Sequence, residues 1–283
     1  MTTSHDGDLA FAIELATQAG ELLSGSYERR LKVDRKSKRD VVTDVDYASE
    51  ALIIRAIRDR FPADAILAEE SGRHERADQG GTVSRPHRRR WSRRTWVIDP
   101  LDGTVNYANG IPFFCVSIGL VEDGMPVVGV VLDPLRGDCY AASSTTRAML
   151  NGQPSRATNK EQLGDFVISL AIIGRGGIAR ERRVAHEIRI GRRMGSAALA
   201  LAYTASSRFD AFVQNGGLSL WDIAAAGLIA ERAGATVTDL HGGPWWNTAK
   251  RGARLSIVSA PQPHHARLIE LLREARTTVE TRR

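Results

Sequence analysis

A hydrophobic run that leads into two carboxylates is the feature that most constrains the fold of this chain. Residues 95–98 are Thr, Trp, Val and Ile, a β-branched and aromatic run that predicts a buried strand. Asp99 and Asp102 follow it, and carboxylates so close together repel unless a cation lies between them. Gly103 and Thr104 come next, where a helix is predicted to begin and its N–H groups favour a phosphate. The run favours a hard metal ion beside a phosphate site, although two acids three apart also occur in solvated turns.

Four other segments carry residues of the same kind. Residues 65–68 predict a second short strand, which leads into Glu69. Asp46 and Asp222 each stand near the beginning of a predicted helix, where an acid is also a common stabiliser. A further helix is predicted to begin at residues 195–197, which are Gly, Ser and Ala. Together with Asp99 and Asp102, these segments strengthen the prediction of a metal site.

In combination, the segments resemble the inositol monophosphatase family of metal-dependent, lithium-sensitive phosphatases. The family reads G-E-E-S, D-P-[IL]-D-G-T-x-N-[FY], G-[ST]-A-A and W-D-x-A-A-G in this order. The corresponding segments here begin near residues 68, 99, 195 and 221, and the match runs from the first predicted helix to about Pro261. The resemblance implies an α/β (α+β) fold, the layered α-β-α-β-α sandwich of the inositol monophosphatase and fructose-1,6-bisphosphatase type.

The chain of 283 residues is long enough for one large domain or two intimate lobes. We interpret residues 1–276 as a single domain with lobes at about 1–150 and 151–276, followed by a frayed tail at 277–283. Apolar periodicity and turn residues predict its elements. Predicted helices are 9–27, 46–61, 179–188, 196–206, 221–233 and 261–276, and predicted strands include 113–121, 126–133, 138–142, 166–171, 209–213 and 255–259.

Much of the net charge of +6 lies in residues 73–94, which are rich in arginine. This segment joins two predicted strands without apolar periodicity, so we expect a mobile basic loop. The family usually has a shorter connection here. The loop could be an anion-binding flap, an RNA contact or a solvated expansion, and nucleic acid is not expected as a partner.

Composition also bears on the compartment. The N-terminal residues lack the basic and apolar regions of a signal peptide, and no apolar stretch reaches the roughly 18–20 residues of a membrane span. Cys115 and Cys139 lack metal or redox spacing and are predicted to be buried free thiols. These observations predict a cytoplasmic protein without a membrane partner.

A site made of carboxylates, without a His or Cys cluster, favours Mg²⁺ or Mn²⁺ over Zn²⁺. The resemblance implies two to three ions. It implies that Glu69, Asp99 and the main-chain carbonyl of Leu101 hold one ion, and that Asp99, Asp102 and Asp222 hold a second. Asp46 and Glu69 would then bind a weaker third ion through water. Taken singly, each acid could instead be a helix cap or part of a salt bridge.

A bound metal makes water available as a nucleophile at neutral pH. The resemblance implies that Thr104 orients this water, that Asp46 accepts a hydrogen bond from the Thr104 hydroxyl, and that Glu69 is the base. The ions and the N–H groups of Gly103 and Thr104 would neutralise the charge at phosphorus. The alcohol would leave on the side held by Asp102 and Asp222.

Substrate recognition is less well defined by the sequence. The resemblance implies that Gly195, Ser196 and Ala197 contact the ring of the substrate. The family's inositol phosphatases place a Glu a few residues after D-A-[FY], whereas Gln214 or Asn215 takes that place here, depending on the position of a one-residue gap. The lost charge puts a strict preference for inositol in doubt, and a second phosphorylated sugar is also plausible.

The leading hypothesis is a Mg²⁺-dependent phosphomonoesterase acting on inositol monophosphate or a related cyclitol or sugar phosphate, expected to be a homodimer. The alternative is fructose-1,6-bisphosphatase or another family activity on histidinol phosphate or a 3′-phosphoadenosine nucleotide. A non-enzymatic alternative is a regulatory binding protein, because one bacterial branch of the family binds transcription machinery. Retention of the five acids and of Thr104 favours an enzyme.

Overall fold

The computed structural model describes residues 5–29, 33–35, 41–74, 92–174, 176–247 and 255–273. Helices in this part of the chain are α1 (Asp6–Ser26), α2 (Asp44–Arg60), α3 (Thr104–Ala108), α4 (Gly177–Glu187), α5 (Ala197–Ala202), α6 (Leu220–Arg232) and α7 (His264–Arg273). Strands are β1 (Val33–Arg35), β2 (Val41–Thr43), β3 (Ala65–Ala68), β4 (Gly72–His74), β5 (Arg94–Asp102), β6 (Cys115–Glu122), β7 (Met125–Asp133), β8 (Asp138–Ser143), β9 (Met149–Leu150), β10 (Gln153–Pro154), β11 (Val167–Ile172), β12 (Ile190–Arg192), β13 (Ala211–Leu218), β14 (Thr236–Thr238) and β15 (Leu255–Ala260).

Two large sheets organise these elements. The first has the strand order β10-β9-β8-β7-β6-β5-β3-β4 and is antiparallel except where β3 pairs with β5. The second has the order β12-β11-β13-β15-β14, in which β11 runs parallel to both of its neighbours. Helices α1 and α2 cover the first sheet, α5 and α6 lie between the sheets, and α4 and α7 cover the second. The expected α-β-α-β-α sandwich is therefore confirmed.

Helix α6 approaches the first sheet unusually closely because small residues face each other. A Cβ atom added at Gly129 of β7 would lie 2.6 Å from the main-chain oxygen of Ala225, and one at Gly119 of β6 would lie 3.1 Å from the Cβ of Ala224. Elsewhere on α6, a Cβ atom added at Gly227 would lie 2.5 Å from the indole ring of Trp245. A helix that is apolar all round can be buried in this way. The contact fixes the beginning of α6 beside the end of β5.

Several element bounds differ from those predicted. The predicted strand 95–98 extends through both acids to Asp102, with an irregular register against β6 between Asp99 and Asp102. The predicted helix 196–206 is divided into α5 and a 3₁₀ turn at Tyr203–Ser206. The predicted strand 209–213 is shifted to Ala211–Leu218. These differences arise where tertiary pairing overrides local pattern.

The basic segment and the chain end are only partly described. The ends of segment 73–94 belong to β4 and β5, so these residues are not loop, and its interior, residues 75–91, lies outside the described residues. The proposed tail 277–283 also lies outside them, as do residues 274–276 of the last predicted helix. Cys115 is buried as predicted, whereas Cys139 is only partly buried. The boundary between the two lobes stays a prediction.

None of the described helices combines the length and apolarity that would let it cross a bilayer.

Candidate functional site

Three acids from two distant parts of the chain meet at the end of β5. Asp99, Asp102 and Asp222 each offer a carboxylate oxygen, and these oxygens all lie within 4.8 Å of one another. They line a cavity of about 150 Å³. The other described residues of its wall are Glu69, Leu101, Gly103, Thr104, Val105 and Gly195. We call this the acidic cavity, and it brings together most of the side chains that the sequence singled out.

The charges of the acidic cavity are unbalanced. Burial raises the pKa of Asp99 well above its ordinary value, and the neighbouring Glu69, Asp102 and Asp222 raise it further. Burial and the charge of Asp102 likewise raise the pKa of Asp222. No lysine, arginine or histidine is among the described residues of the wall. Buried carboxylates without a counter-charge are unfavourable, so this oxygen-rich donor set fits a hard divalent cation such as Mg²⁺.

Main-chain amides fix the orientation of Asp99 and Asp222. One oxygen of Asp99 accepts a hydrogen bond from the N–H of Leu101 at 3.1 Å. One oxygen of Asp222 accepts from the N–H of Ser219 at 2.6 Å, as part of the capping box that begins α6. The cap interpretation of Asp222 is therefore correct, and it is compatible with a ligand role because a carboxylate has two oxygens.

Asp102 is held at the beginning of α5. Its Oδ2 accepts hydrogen bonds from the Ser196 hydroxyl at 2.5 Å and from the N–H of Ala198 at 2.7 Å, and the Cys115 thiol lies 3.8 Å away. Burial raises the pKa of Asp102, and these donors oppose that rise. Ser196, expected to contact substrate, is itself buried and bonded to Asp102. Of the segment 195–197, only Gly195 is among the described residues of the cavity wall.

Asp46 and Thr104 form the predicted contact. The Thr104 hydroxyl has two acceptors within reach of its single proton, Oδ1 of Asp46 at 2.9 Å and the carbonyl oxygen of Leu101 at 3.0 Å. The other oxygen of Asp46 accepts from both the N–H and the hydroxyl of Thr43, which caps α2. Both oxygens of Asp46 are thus bonded to protein groups.

Two glycines of the cavity have conformations that other residues adopt only with strain. Gly103 has φ +99°, and a Cβ there would lie about 3.1 Å from both Phe113 O and Ser196 Cβ. Gly195 has φ +83°, and a Cβ there would lie 2.8 Å from the Asn106 amide. Asn106 is buried and donates to the carbonyls of Phe113 and Met194, 2.7 Å each. The sequence reasoning gave Asn106 no role, although it lies in the same motif as Asp99 and Thr104.

Gln214 and Asn215 do not line the acidic cavity among the described residues. Successive residues of a strand face opposite sides of the sheet. Phe212 packs with α5 and α6, whereas Val213 packs with α4 and α7. Gln214 therefore points to the inner layer that carries the acidic cavity. Asn215 points outward and lines a separate cavity with Arg180, His241 and Arg273.

A bulge follows these two residues. Gly216 and Gly217 have φ of +78° and +71°, and the register of β13 against β15 shifts between Asn215 and Leu218. A bulge inserts an extra residue into one strand of a pair. The register is regular from Phe212 to Asn215, so the bulge does not disturb the alternation that points Gln214 to the inner layer.

Known proteins resemble this chain over nearly its whole length. The sequence model of the inositol monophosphatase family matches residues 6–277. A Nus factor SuhB of Pasteurella multocida is 38% identical over 243 residues, covering 83% of this chain and 86% of that protein. Inositol monophosphatase 2 of Solanum lycopersicum is 34% identical over 254 residues, covering 86% and 91%.

Solved structures agree with the fold. The extragenic suppressor protein suhB of Bartonella henselae superimposes with a TM-score of 0.83 at 30% identity, covering 95% of this chain and 99% of that one. An IMPase of Thermotoga maritima gives a TM-score of 0.82 at 29% identity, covering 96% and 99%.

Proposed function

The chain belongs to the inositol monophosphatase family, and from that premise we propose that it is a Mg²⁺-dependent phosphomonoesterase. Its substrate would be inositol monophosphate or a related cyclitol or sugar phosphate. The observation that carries the proposal is the meeting of Asp99, Asp102 and Asp222 within 4.8 Å in a wall without a basic residue among those described. A purely structural cluster of acids would need its own counter-charge.

The residues present fit two to three hard cations. Glu69, Asp99 and the carbonyl of Leu101 would hold one Mg²⁺, and Asp99, Asp102 and Asp222 a second. Asp46, whose two oxygens are bonded to Thr43 and Thr104, would contribute to a third through water. When bound, these ions lower the pKa of water and neutralise phosphate charge. Mn²⁺ offers the same preference for oxygen ligands.

Thr104 and Glu69 would act on the attacking water. Because the Thr104 proton is donated to Asp46 or to the Leu101 carbonyl, its oxygen lone pair remains available to accept a hydrogen bond from that water. The Glu69 carboxylate, on the same wall, would accept the proton that the water loses. Two acceptors on one water would fix its direction of attack.

The phosphate would lie against the first turn of α3. Gly103 and Thr104 are on the cavity wall, and main-chain N–H groups at the beginning of a helix are suited to anionic oxygens. Attack in line breaks the bond from phosphorus to the ester oxygen, and the alcohol leaves towards Asp102 and Asp222. Solvent supplies its proton.

We also propose alternative substrates, a second candidate function, a compartment and an oligomeric state. Fructose 1,6-bisphosphate, histidinol phosphate and a 3′-phosphoadenosine nucleotide are the alternative substrates, since an amide, Gln214 or Asn215, stands where the family's inositol phosphatases have an acid. Relatives named Nus factor SuhB support a second candidate, a regulatory binding role. A cytoplasmic homodimer is the form in which we expect the enzyme.

A phosphate-release assay tests the proposal. The purified protein would be incubated with each of the four named phosphate esters in Mg²⁺, in Mn²⁺, in Mg²⁺ with Li⁺, and in excess EDTA. We expect turnover that needs Mg²⁺ or Mn²⁺ and is inhibited by Li⁺. Full activity in EDTA would contradict the metal mechanism, and no release from any ester in Mg²⁺ would favour the binding role.

A further inference from the structure

Three side chains of α2 each bind a different segment of the acidic cavity. Asp46, Ser49 and Glu50 are three and four residues apart, so they share one face of the helix. All three are buried, with exposed fractions of 1%, 0% and 3%. Asp46 binds Thr104, as described above. Neither Ser49 nor Glu50 lines the acidic cavity among the described residues.

Glu50 binds the turn that carries Glu69. One of its carboxylate oxygens accepts from the N–H of Glu70 at 2.8 Å, and the other accepts from the N–H of Ser71 at 2.9 Å. Two bonds to consecutive amides, one through each oxygen, fix both the distance and the rotation of the turn. The Glu69 carboxyl group, immediately before these amides, interacts with Asp99. Glu50 therefore anchors the turn that immediately follows Glu69.

Ser49 binds the irregular part of β5. Its hydroxyl donates to the carbonyl oxygen of Pro100 at 3.0 Å. Pro100 lies between Asp99 and Leu101, where the register against β6 is interrupted and the sheet supplies less support. The bond orients the peptide group that joins Pro100 to Leu101. It thereby orients the segment from which the Leu101 carbonyl projects.

We propose that Ser49 and Glu50 are positioning residues for the metal site, with α2 as the rigid support that keeps Glu69, Asp99 and the Leu101 carbonyl at one ion-binding spacing. The inference rests on the proposed function and adds two residues that touch neither ion nor substrate. Residues that orient metal ligands typically change metal affinity by about 10–100-fold when they are replaced.

Asp239 provides a matched control in the second lobe. One of its oxygens accepts from the N–H groups of His241 and Gly243, both at 2.9 Å, so it also stabilises a turn through two amides. It is not among the described residues of the acidic cavity wall. Asp239→Ala should thus lower stability without changing metal binding.

The experiment compares Glu50→Gln, Glu50→Ala, Ser49→Ala and Asp239→Ala with the wild type. For each, one measures the Mn²⁺ dissociation constant by calorimetry without substrate, the Mg²⁺ concentration for half-maximal activity, kcat, KM and Tm. Both Glu50 variants should weaken Mn²⁺ and Mg²⁺ binding about 10–100-fold, with kcat largely recovered in excess Mg²⁺. Ser49→Ala should weaken metal binding about three- to tenfold, as for one neutral hydrogen bond.

The outcomes separate this inference from the proposed function. Glu50→Gln and Ser49→Ala variants that bind Mn²⁺ like the wild type would overturn the positioning role, as would an equal loss of affinity in Asp239→Ala. If Glu50→Ala does not fold, the Mn²⁺ affinities of Glu50→Gln and Ser49→Ala still test the positioning role. A wild type that neither binds Mn²⁺ nor releases phosphate would refute the proposed function instead.

Discussion

The two ends of β5 carry clusters of buried and partly buried carboxylates with opposite electrostatics. At the beginning of the strand, the Arg94 guanidinium binds Asp8 at 2.9 Å and Asp64 at 3.1 Å and lies 3.9 Å from Glu122. His5 lies between Asp8 and Glu122, at 3.4 and 3.6 Å. We call these five residues the Arg94 cluster. At the other end of the strand, the acidic cavity gathers Asp99, Asp102, Asp222 and Glu69.

The pKa values of Asp8 and Asp99 are shifted in opposite directions from their ordinary value. Burial alone would raise the pKa of Asp8, but the hydrogen bonds and charges of Arg94 and His5 keep it below its ordinary value. In the acidic cavity, burial and neighbouring acids act together and raise the pKa of Asp99. A cluster that contains its own cation stabilises the fold, whereas one without a cation must obtain it from solution. The comparison therefore separates, at the two ends of β5, a cluster that contains its own cation from a cavity whose described wall carries no basic side chain.

The largest expected effect comes from making the same substitution in both clusters. Asp99→Asn removes a charge that the proposed ions would share and should lower kcat at least about 1000-fold, or about 4 kcal/mol of barrier. It should leave Tm in EDTA no lower than in the wild type, because it relieves repulsion. Asp64→Asn should do the reverse, with kcat/KM unchanged and Tm lowered. Steady-state kinetics and thermal unfolding of both variants measure these effects. Retained turnover in Asp99→Asn would contradict the proposed difference between the acidic cavity and the Arg94 cluster.

The next largest effect is expected from removing Arg94, the arginine of the Arg94 cluster. Arg94→Met leaves Asp8, Asp64 and Glu122 without their arginine, and breaking a buried ion pair costs about 3–5 kcal/mol. Since the Arg94 side chain is 24% exposed, we expect a smaller loss, about 2–4 kcal/mol in urea unfolding.

Arg208→Met is the matched control for that variant. Arg208 pairs with the single carboxylate of Asp138 and is 36% exposed, so its removal should cost less. Neither substitution should change the Mg²⁺ concentration for half-maximal activity. A change in that concentration with Arg94→Met would mean that the two ends of β5 are coupled.

Adding the missing cation should stabilise the molecule through the acidic cavity alone. Each Mg²⁺ ion that binds at about 100 times its dissociation constant adds about 2.7 kcal/mol to the free energy of unfolding. The wild type and Arg94→Met should both gain this increment, and Asp99→Asn should lose most of it. Thermal unfolding in MgCl₂, against NaCl of equal ionic strength, measures it. An equal gain in all three proteins would place the ion elsewhere.

The two ends of β5 also differ in how far the sequence predicted them. The acids of the cavity stand beside glycines and helix beginnings in short motifs, so Asp99, Asp102 and Asp222 could be recognised from local pattern. The Arg94 cluster draws Asp8, Asp64 and Glu122 from α1, a loop and β6, and no local spacing connects them. Only the sheet order places these side chains together.

Within the site, the sequence also failed to predict the partners of side chains that support the acidic cavity. The family resemblance implies a substrate contact for Ser196, but the Ser196 hydroxyl donates to Asp102. Glu50 follows Asp46 by four residues, and this spacing in the sequence indicates that they share a helix face. The sequence does not indicate that Glu50 binds the amides of Glu70 and Ser71, which only the structure shows. Sequence pattern thus identified most groups of the cavity wall better than the groups that support them.

The smallest expected effect concerns substrate preference and a single side chain of β13, Gln214. Gln214 points to the inner layer, where a carboxylate could accept two hydroxyl hydrogen bonds from a cyclitol, whereas an amide has one acceptor oxygen. Gln214→Glu should therefore raise kcat/KM for inositol-1-phosphate relative to glycerol-2-phosphate by about 1–2 kcal/mol, or five- to thirtyfold.

Asn215→Glu supplies the control for that change, because Asn215 points outward into the cavity with Arg180 and Arg273. A new carboxylate there should pair with those arginines and leave the ratio of the two substrates unchanged. The inner and outer assignments are reversed if Asn215→Glu alone changes the ratio. If neither variant changes it, the end of β13 lies outside the substrate site. The contrast between the two ends of β5 would survive either result, since it rests on different residues.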